Sequence, residues 1–78
     1  MGAEEKVMKL VMKLVSVWAI DHKETGRRAR MKRREQGLTL QQVAQRMKIS
    51  VAYLSALERG DRAWNYRLLD WFSDAVGE

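Results

Sequence analysis

The chain has 78 residues with no Cys and no Pro, and its formal net charge is +5. This length gives one small domain, and the absence of Cys excludes disulfides and thiolate metal sites. Residues 27–62 hold ten Lys and Arg residues against three acidic ones, which indicates a polyanionic partner. The longest apolar stretch, residues 7–20, contains two Lys residues and is shorter than the ~20 residues that cross a bilayer. We therefore expect a cytoplasmic protein with no membrane attachment.

The first predicted helix covers residues 4–20. Lys6, Lys9 and Lys13 recur every three or four residues and form a narrow polar stripe, a spacing that a strand of period two does not give. The apolar arc around this stripe is wide and includes Trp18. Because the arc is wide, we expect this helix to pack partly on the rest of the domain and partly on a second subunit.

The next segment is predicted to be a connector followed by a basic helix. The connector covers residues 21–26, with Thr25 as the N-cap of a helix over residues 27–36 that Gly37 ends in the left-handed conformation. His22 is interpreted as a surface side chain of this connector. Its acidic neighbours are too few and too poorly spaced to complete a metal site, so we expect no metal, no cofactor and no catalytic residue.

Two short helices joined by a tight turn follow. Thr39 is the predicted N-cap of a helix over residues 40–47, and Gln42 completes a capping box. After a three-residue turn, Ser50 is the predicted N-cap of a helix over residues 51–59. The apolar residues whose spacing fills the angle between these helices are Val43, Ala44, Met47, Ile49, Leu54 and Leu57. This is the frame of a helix-turn-helix, whose second helix enters the DNA major groove.

A last helix is predicted over residues 66–76, with Asn65 as its N-cap. Its apolar face consists of Leu68, Leu69, Trp71, Phe72, Ala75 and Val76. Trp64 and Trp71 are both interpreted as core side chains rather than as a stacking platform for single strands.

Three motifs in this part of the chain point to one family. They are Gly37-Leu38-Thr39, Val43-Ala44, and the run Ile-Ser-x-x-Tyr-Leu-Ser-x-Leu-Glu-Arg-Gly from Ile49 to Gly60. On these motifs, the region from Gly26 to Val76 resembles the Xre/Cro (lambda-repressor-like) family of bacterial and phage repressors. The resemblance implies an all-α bundle of four to five short helices, to which the helix over residues 4–20 is added.

The resemblance also implies roles for individual residues. Arg33 and Glu58 match an internal ion pair, and Gln41 matches a phosphate contact at a helix N-terminus. The base-reading face matches Val51, Ala52, Ser55 and Ala56, and the usual backbone contacts match Tyr53, Arg59, Arg62 and Asn65. The full candidate DNA-binding set is Gln41, Gln42, Lys48, Ser50, Val51, Ala52, Tyr53, Ser55, Ala56, Arg59, Arg62 and Asn65.

The chain departs from the family pattern at Leu40, where Gln is common, and at Lys48, where Gly is common. A left-handed Lys48 costs roughly 1 kcal/mol but places a cation near DNA. The reading face is unusually apolar. Val51, Ala52 and Ala56 cannot form bidentate hydrogen bonds to guanine or adenine, but they can contact thymine methyl groups. We therefore expect modest direct readout, with phosphate contacts and DNA shape carrying more of the affinity.

These features predict a sequence-specific double-stranded DNA-binding regulator, bacterial or phage-encoded, that acts as a homodimeric repressor on a pseudo-palindromic operator. Residues 1–25 are assigned to packing and dimerisation, and residues 26–78 to DNA binding. The alternative is a protein-interaction module of the same fold, such as an antitoxin that binds a toxin. The basic run over residues 27–34 has two open interpretations, a solvated helix face or a surface that contacts phosphates.

Overall fold

The computed structural model describes residues 20–77, and four α-helices make up this part of the chain. They are α1 (His22–Glu35), α2 (Leu40–Met47), α3 (Val51–Arg59) and α4 (Tyr66–Ala75). The described residues contain no strand, which confirms the predicted all-α class. Of the helix predicted over residues 4–20, only Ile20 is described, and it lies outside any helix; the rest of it, with Trp18, lies outside the described residues.

All four helices begin in the same way, at a short polar side chain that accepts a hydrogen bond from the backbone N–H three residues further on. The capping residues are Asp21, Thr39, Ser50 and Asn65, and the four bonds measure 2.8 to 3.1 Å. In α2 the Gln42 side chain accepts in return from the N–H of Thr39 at 2.9 Å. The predicted caps at Thr39, Ser50 and Asn65 and the capping box are therefore confirmed.

The start of α1 differs from the prediction. The helix begins at His22, so the connector predicted over residues 21–26 and the N-cap predicted at Thr25 are wrong. Asp21 is the N-cap instead, and the N–H of Thr25 donates to the Asp21 carbonyl at 2.8 Å as part of the first helical turn. α1 runs continuously across the boundary assigned between residues 25 and 26. The assignment of residues 1–25 to packing and dimerisation, and of residues 26–78 to DNA binding, stays a prediction.

Gly26 lies inside α1 and is buried against α3. A Cβ atom at this position would clash with the carbonyl oxygen of Leu57, and it would lie 2.6 Å from that of Glu58. Since these atoms belong to the backbone of a helix, they have little freedom to move away. A residue without a side chain is therefore what allows α1 and α3 to pack this closely.

The core lies between the four helices, and its centre is the predicted interior of the helix-turn-helix. Val43, Leu54 and Leu57 are fully buried there, while Ile49 is half-buried at the edge. Trp64 is also buried, as predicted, and its indole Nε1–H donates to the Leu57 carbonyl at 2.9 Å.

The prediction of a core position for Trp71 is wrong, because 43% of this residue is exposed. The core stripe of α4 consists of Leu68, Phe72 and Ala75, which recur at the spacing of one helix face. Among the described helices, this one packs mainly on α2, and within residues 20–77 that narrow stripe is the part of α4 that lies in the core. Trp71 lies beside the stripe and is left on the surface.

His22 is the other residue whose position differs from the prediction. It is a half-buried residue of the first turn of α1 rather than a surface side chain of a connector. Its Nδ1 accepts a hydrogen bond from the backbone N–H of Trp64 at 3.0 Å. The imidazole therefore ties the start of α1 to the loop that precedes α4.

Candidate nucleic-acid interface

The inward side of α3 fixes the orientation of this helix. The Arg33 guanidinium donates two hydrogen bonds to the Glu58 carboxylate, at 2.8 and 3.1 Å, and both side chains are at least nine-tenths buried. The third Arg33 bond goes to the carbonyl of Leu38 at 2.8 Å. The ion pair implied by the family resemblance is therefore present, and it joins α1, the following turn and α3.

The outward side of α3 is open at its N-terminal end. Val51 is 44% exposed and Tyr53 38% exposed, and Ala52 is exposed between them. Ser55 and Ala56, one turn further on, are half-buried and therefore less accessible. Of the four predicted reading positions, Val51 and Ala52 are therefore the most accessible. Together with Tyr53 they give the start of α3 a predominantly apolar surface.

Cationic side chains lie before and after α3. Lys48 is exposed in the turn before α3, with a left-handed backbone (φ 60°, ψ 40°). Arg59 ends α3 and donates to Asp61 at 3.0 Å and to the Ser55 hydroxyl at 2.6 Å. Exposed pairs of this kind contribute little stability, so a phosphate competes readily for the guanidinium. Arg62 is exposed and has no partner within residues 20–77.

Three of the predicted contact residues also take part in capping the helices: Ser50 and Asn65 are N-caps, and Gln42 completes the capping box of α2. The side-chain oxygens of Gln42, Ser50 and Asn65 each accept a backbone N–H, which occupies the acceptor atom. The side-chain donors, an amide NH₂ or a hydroxyl, are still available, and donors are what a phosphate requires. Gln41 is exposed in the first turn of α2, where backbone N–H groups favour an anion.

The basic side of α1 is partly neutralised within the protein. Glu24 accepts from Arg27 at 2.6 and 3.0 Å and from Arg28 at 3.0 Å. These bonds, that of Arg27 first, lower the pKa of Glu24 from 4.5 to about 2, and the same contact raises the pKa of Arg27. Arg30 and Arg34 are exposed and have no partner in the described part of the chain. Arg30 and Arg34 can therefore meet a phosphate without breaking a pair, whereas Arg27 and Arg28 would exchange exposed pairs with Glu24, as Arg59 would with Asp61.

Residues 20–77 also bear on two other classes of site. No group of three or more acidic, His or Cys side chains there is placed to hold a metal ion. No helix within the same residues is long and apolar enough to cross a membrane.

The fold and the exposed end of α3 define a helix-turn-helix protein. Residues 28–63, which extend from α1 through α2 and α3 to the loop before α4, match a family model described as a helix-turn-helix domain. The chain therefore contains a helix-turn-helix domain, in agreement with the Xre-type resemblance, and such domains are typical of DNA-binding regulators. No curated protein and no solved structure matches the chain.

The sequence contained a signal for the earlier start of α1. Asp21 and Glu24 are three residues apart, which is the spacing of a capping pattern at a helix start. Gly26 gave no such signal, because its role depends on a carbonyl of α3 that is distant in sequence.

Proposed function

We propose that this protein is a sequence-specific double-stranded DNA-binding transcriptional regulator that reads the major groove with α3. One observation carries this proposal. Val51 and Ala52 are exposed at the start of α3, while the opposite side of the same helix is held by the buried Arg33–Glu58 ion pair. A rigidly held helix with an open N-terminal end is the part of a helix-turn-helix that enters DNA.

The chemistry of the open end supports readout of thymine-containing sites. Val51 and Ala52 have no polar side-chain atoms, so they discriminate by contact with the C5-methyl group. Arg59, Arg62 and Lys48 supply the phosphate contacts that position α3 in the groove. Binding of this kind depends strongly on salt, because each neutralised phosphate releases counterions.

We further propose a homodimeric repressor in the cytoplasm of a bacterium, or encoded by a phage, with no enzymatic activity. In such a dimer the two copies of α3 lie about 34 Å apart and contact two half-sites of a pseudo-palindromic operator. Residues 1–25 contribute to the dimer contact, since their sequence has a wider apolar arc than one neighbour covers. Truncation of residues 1–20 is then expected to shift the protein toward monomer in sedimentation, and a truncated protein that stays dimeric rejects this role.

The test of the proposed function is a fluorescence-anisotropy titration against the DNA upstream of the gene and against a scrambled duplex, each at two salt concentrations. Binding to the upstream DNA that is about 10³-fold tighter at both salts supports a specific autoregulator. Equal and steeply salt-dependent binding to both duplexes rejects sequence specificity.

A matched pair of variants sharpens this test. Ala52→Glu places a carboxylate on the exposed start of α3, and Arg67→Ala changes the net charge by the same amount on α4. If α3 enters the groove, Ala52→Glu abolishes specific binding and Arg67→Ala leaves it nearly intact. Equal losses for the two variants show that only net charge matters.

A second candidate function is a protein-interaction module of the same fold, such as an antitoxin that binds a toxin. The observation that favours it is the pair of exposed aromatic residues on α4, Trp71 at 43% and Tyr66 at 52% exposure. Aromatic side chains of this kind are enriched at protein interfaces. A toxin gene beside this one, together with no binding to either duplex, supports this candidate over the first.

A further inference from the structure

An apolar groove lies between α1 and α4, on the part of the molecule that does not include α3. Its volume is about 550 Å³, and its apolar lining consists of Ile20, Ala29, Met31, Leu69 and Phe72. Met31 is 49% exposed there, although it is a large apolar side chain. We call this surface the α1–α4 groove.

We propose that the α1–α4 groove is the docking site for residues 7–18 of the same chain. This inference stands on the groove and on the sequence before it, and it does not depend on DNA binding. The first support is position. Ile20 is the first described residue and lines the groove, so the chain that precedes it is attached at the edge of this surface.

The second support is the apolar pattern of the segment. Val7, Val11, Leu14 and Trp18 recur at the i, i+4, i+7 and i+11 positions of a helix, on the side opposite the Lys stripe. As a helix, residues 7–18 extend about 18 Å, and α1 extends about 21 Å, at 1.5 Å per residue. The segment therefore has both the apolar side and the length that the groove requires.

The third support is charge. A segment attached at the start of α1 that runs back alongside it carries its earliest residues toward the end of α1. At the end of α1, Lys32 and Glu35 line the groove and Arg34 is exposed beside them, which leaves this end net positive, and the earliest part of the segment holds Glu4 and Glu5. In this direction opposite charges meet, and the Lys stripe faces the solvent.

Attachment at Ile20 also favours the chain's own segment over that of a second copy. A covalently attached segment is present at an effective concentration in the millimolar range, which a second molecule reaches only in concentrated solution. Docking of the segment in the groove of its own chain is therefore favoured over docking in the groove of a second molecule.

The first experiment measures whether the segment covers the groove in the full chain. The protein has no Cys, so Met31→Cys introduces one thiol, whose rate of reaction with Ellman's reagent reports access to the groove. Val11→Glu in this background places a carboxylate on the docking side. It is expected to raise the rate about tenfold, because burying an unpaired charge against the groove favours the undocked segment. Lys13→Gln, on the polar stripe, makes the same change in net charge as Val11→Glu; it is the control and is expected to leave the rate nearly unchanged.

The second experiment distinguishes the chain's own segment from that of a second copy. Met31→Cys is combined in separate variants with Val11→Cys, Leu14→Cys or Trp18→Cys, and each protein is oxidised at low micromolar concentration. A disulfide within the monomer, seen by intact mass and peptide mapping, is expected for at least one variant. Leu14→Cys with Ala52→Cys, which is exposed on α3, is the control and is expected to form none.

Each outcome decides the proposal. Circular dichroism of every variant first establishes that the helices are retained. A rate that Val11→Glu does not raise shows that the segment does not cover the groove, and it overturns the proposal. Covalent dimers in place of internal disulfides also overturn it, because the occupant is then a second copy. Internal disulfides together with the accelerated rate establish docking within one chain.

Discussion

The inward and outward sides of α3 differ in how their polar groups are satisfied. On the inward side the Glu58 carboxylate is bonded to Arg33, and no buried side-chain polar atom within residues 20–77 lacks a partner. On the outward side Val51 and Ala52 are exposed, and within the described part of the chain the side-chain bonds there are those of Arg59 to its neighbours. The inward side therefore sets the orientation of α3, and the side chains of the outward side are available for contact with DNA. Inward substitutions are expected to change stability, and outward ones to change binding.

The largest expected effect is that of Glu58→Ala. It leaves the Arg33 guanidinium buried without a counter-charge, which costs about 3–5 kcal/mol of unfolding free energy. Urea denaturation followed by circular dichroism measures this loss. Arg33→Met combined with Glu58→Leu removes both charges and is expected to recover much of the stability. A loss below about 1 kcal/mol for the single variant is incompatible with a structural role for the pair.

The next effect is that of Gly26→Ala. The added methyl group meets the backbone carbonyls of α3, and overpacking of this kind costs about 1–3 kcal/mol. The same denaturation experiment applies, with Arg30→Ala on the exposed side of α1 as the control. If Gly26→Ala is as stable as the wild-type protein, the close approach of α1 and α3 does not exist in solution.

A third prediction concerns the outward side, where Arg59→Ala and Arg62→Ala are expected to weaken binding to every duplex. Each lost phosphate contact flattens the dependence of log K on log salt by about one unit. Stability is expected to change by less than about 0.5 kcal/mol, since both residues are on the surface. Arg67→Ala is the charge-matched control, and an unchanged slope removes Arg59 and Arg62 from the phosphate-contacting set.

The smallest effect is expected at Glu24, a half-buried residue of α1 that contacts neither side of α3. Its pKa in the folded protein is about 2, below the ordinary 4.5, so the bonds from Arg27 and Arg28 stabilise the fold above pH 4.5 and are lost as the pH falls toward 2. Carbon-detected NMR titration of the side-chain carboxyl measures the midpoint directly. Arg27→Ala is expected to raise this midpoint, and a wild-type midpoint near 4.5 means that the pairs do not form.

The parts of the fold that the sequence predicts are those determined locally. The caps at Thr39, Ser50 and Asn65 each act on a backbone group three residues away, so pattern and spacing are sufficient to locate them. The inward side of α3 was predictable for a similar reason, because Leu54 and Leu57 recur at helical spacing.

The features that escaped prediction depend on contacts between distant residues. Gly26 is required by a carbonyl of α3, and His22 accepts from Trp64, 42 residues further along the chain. Trp71 is exposed on a side of α4 that lies away from the core of the described residues, which no residue of α4 itself reveals. At the candidate site, the occupied acceptors of Gln42 and Ser50 were implicit in their capping roles, whereas the bond from Arg59 to Ser55 depends on the rotamers of both side chains.

The four capped helix starts have a consequence for how fast this domain forms. Each cap closes a hydrogen-bonded loop within three residues, so α1, α2, α3 and α4 can begin independently on the sub-microsecond timescale of helix formation. The contact that joins α1 to α3, between Arg33 and Glu58, closes a loop of 25 residues, so its entropic cost exceeds that of any cap. Helical domains in which local contacts predominate fold in microseconds to milliseconds. A chain of this kind therefore reaches its folded form soon after synthesis, and its folded concentration tracks its rate of production.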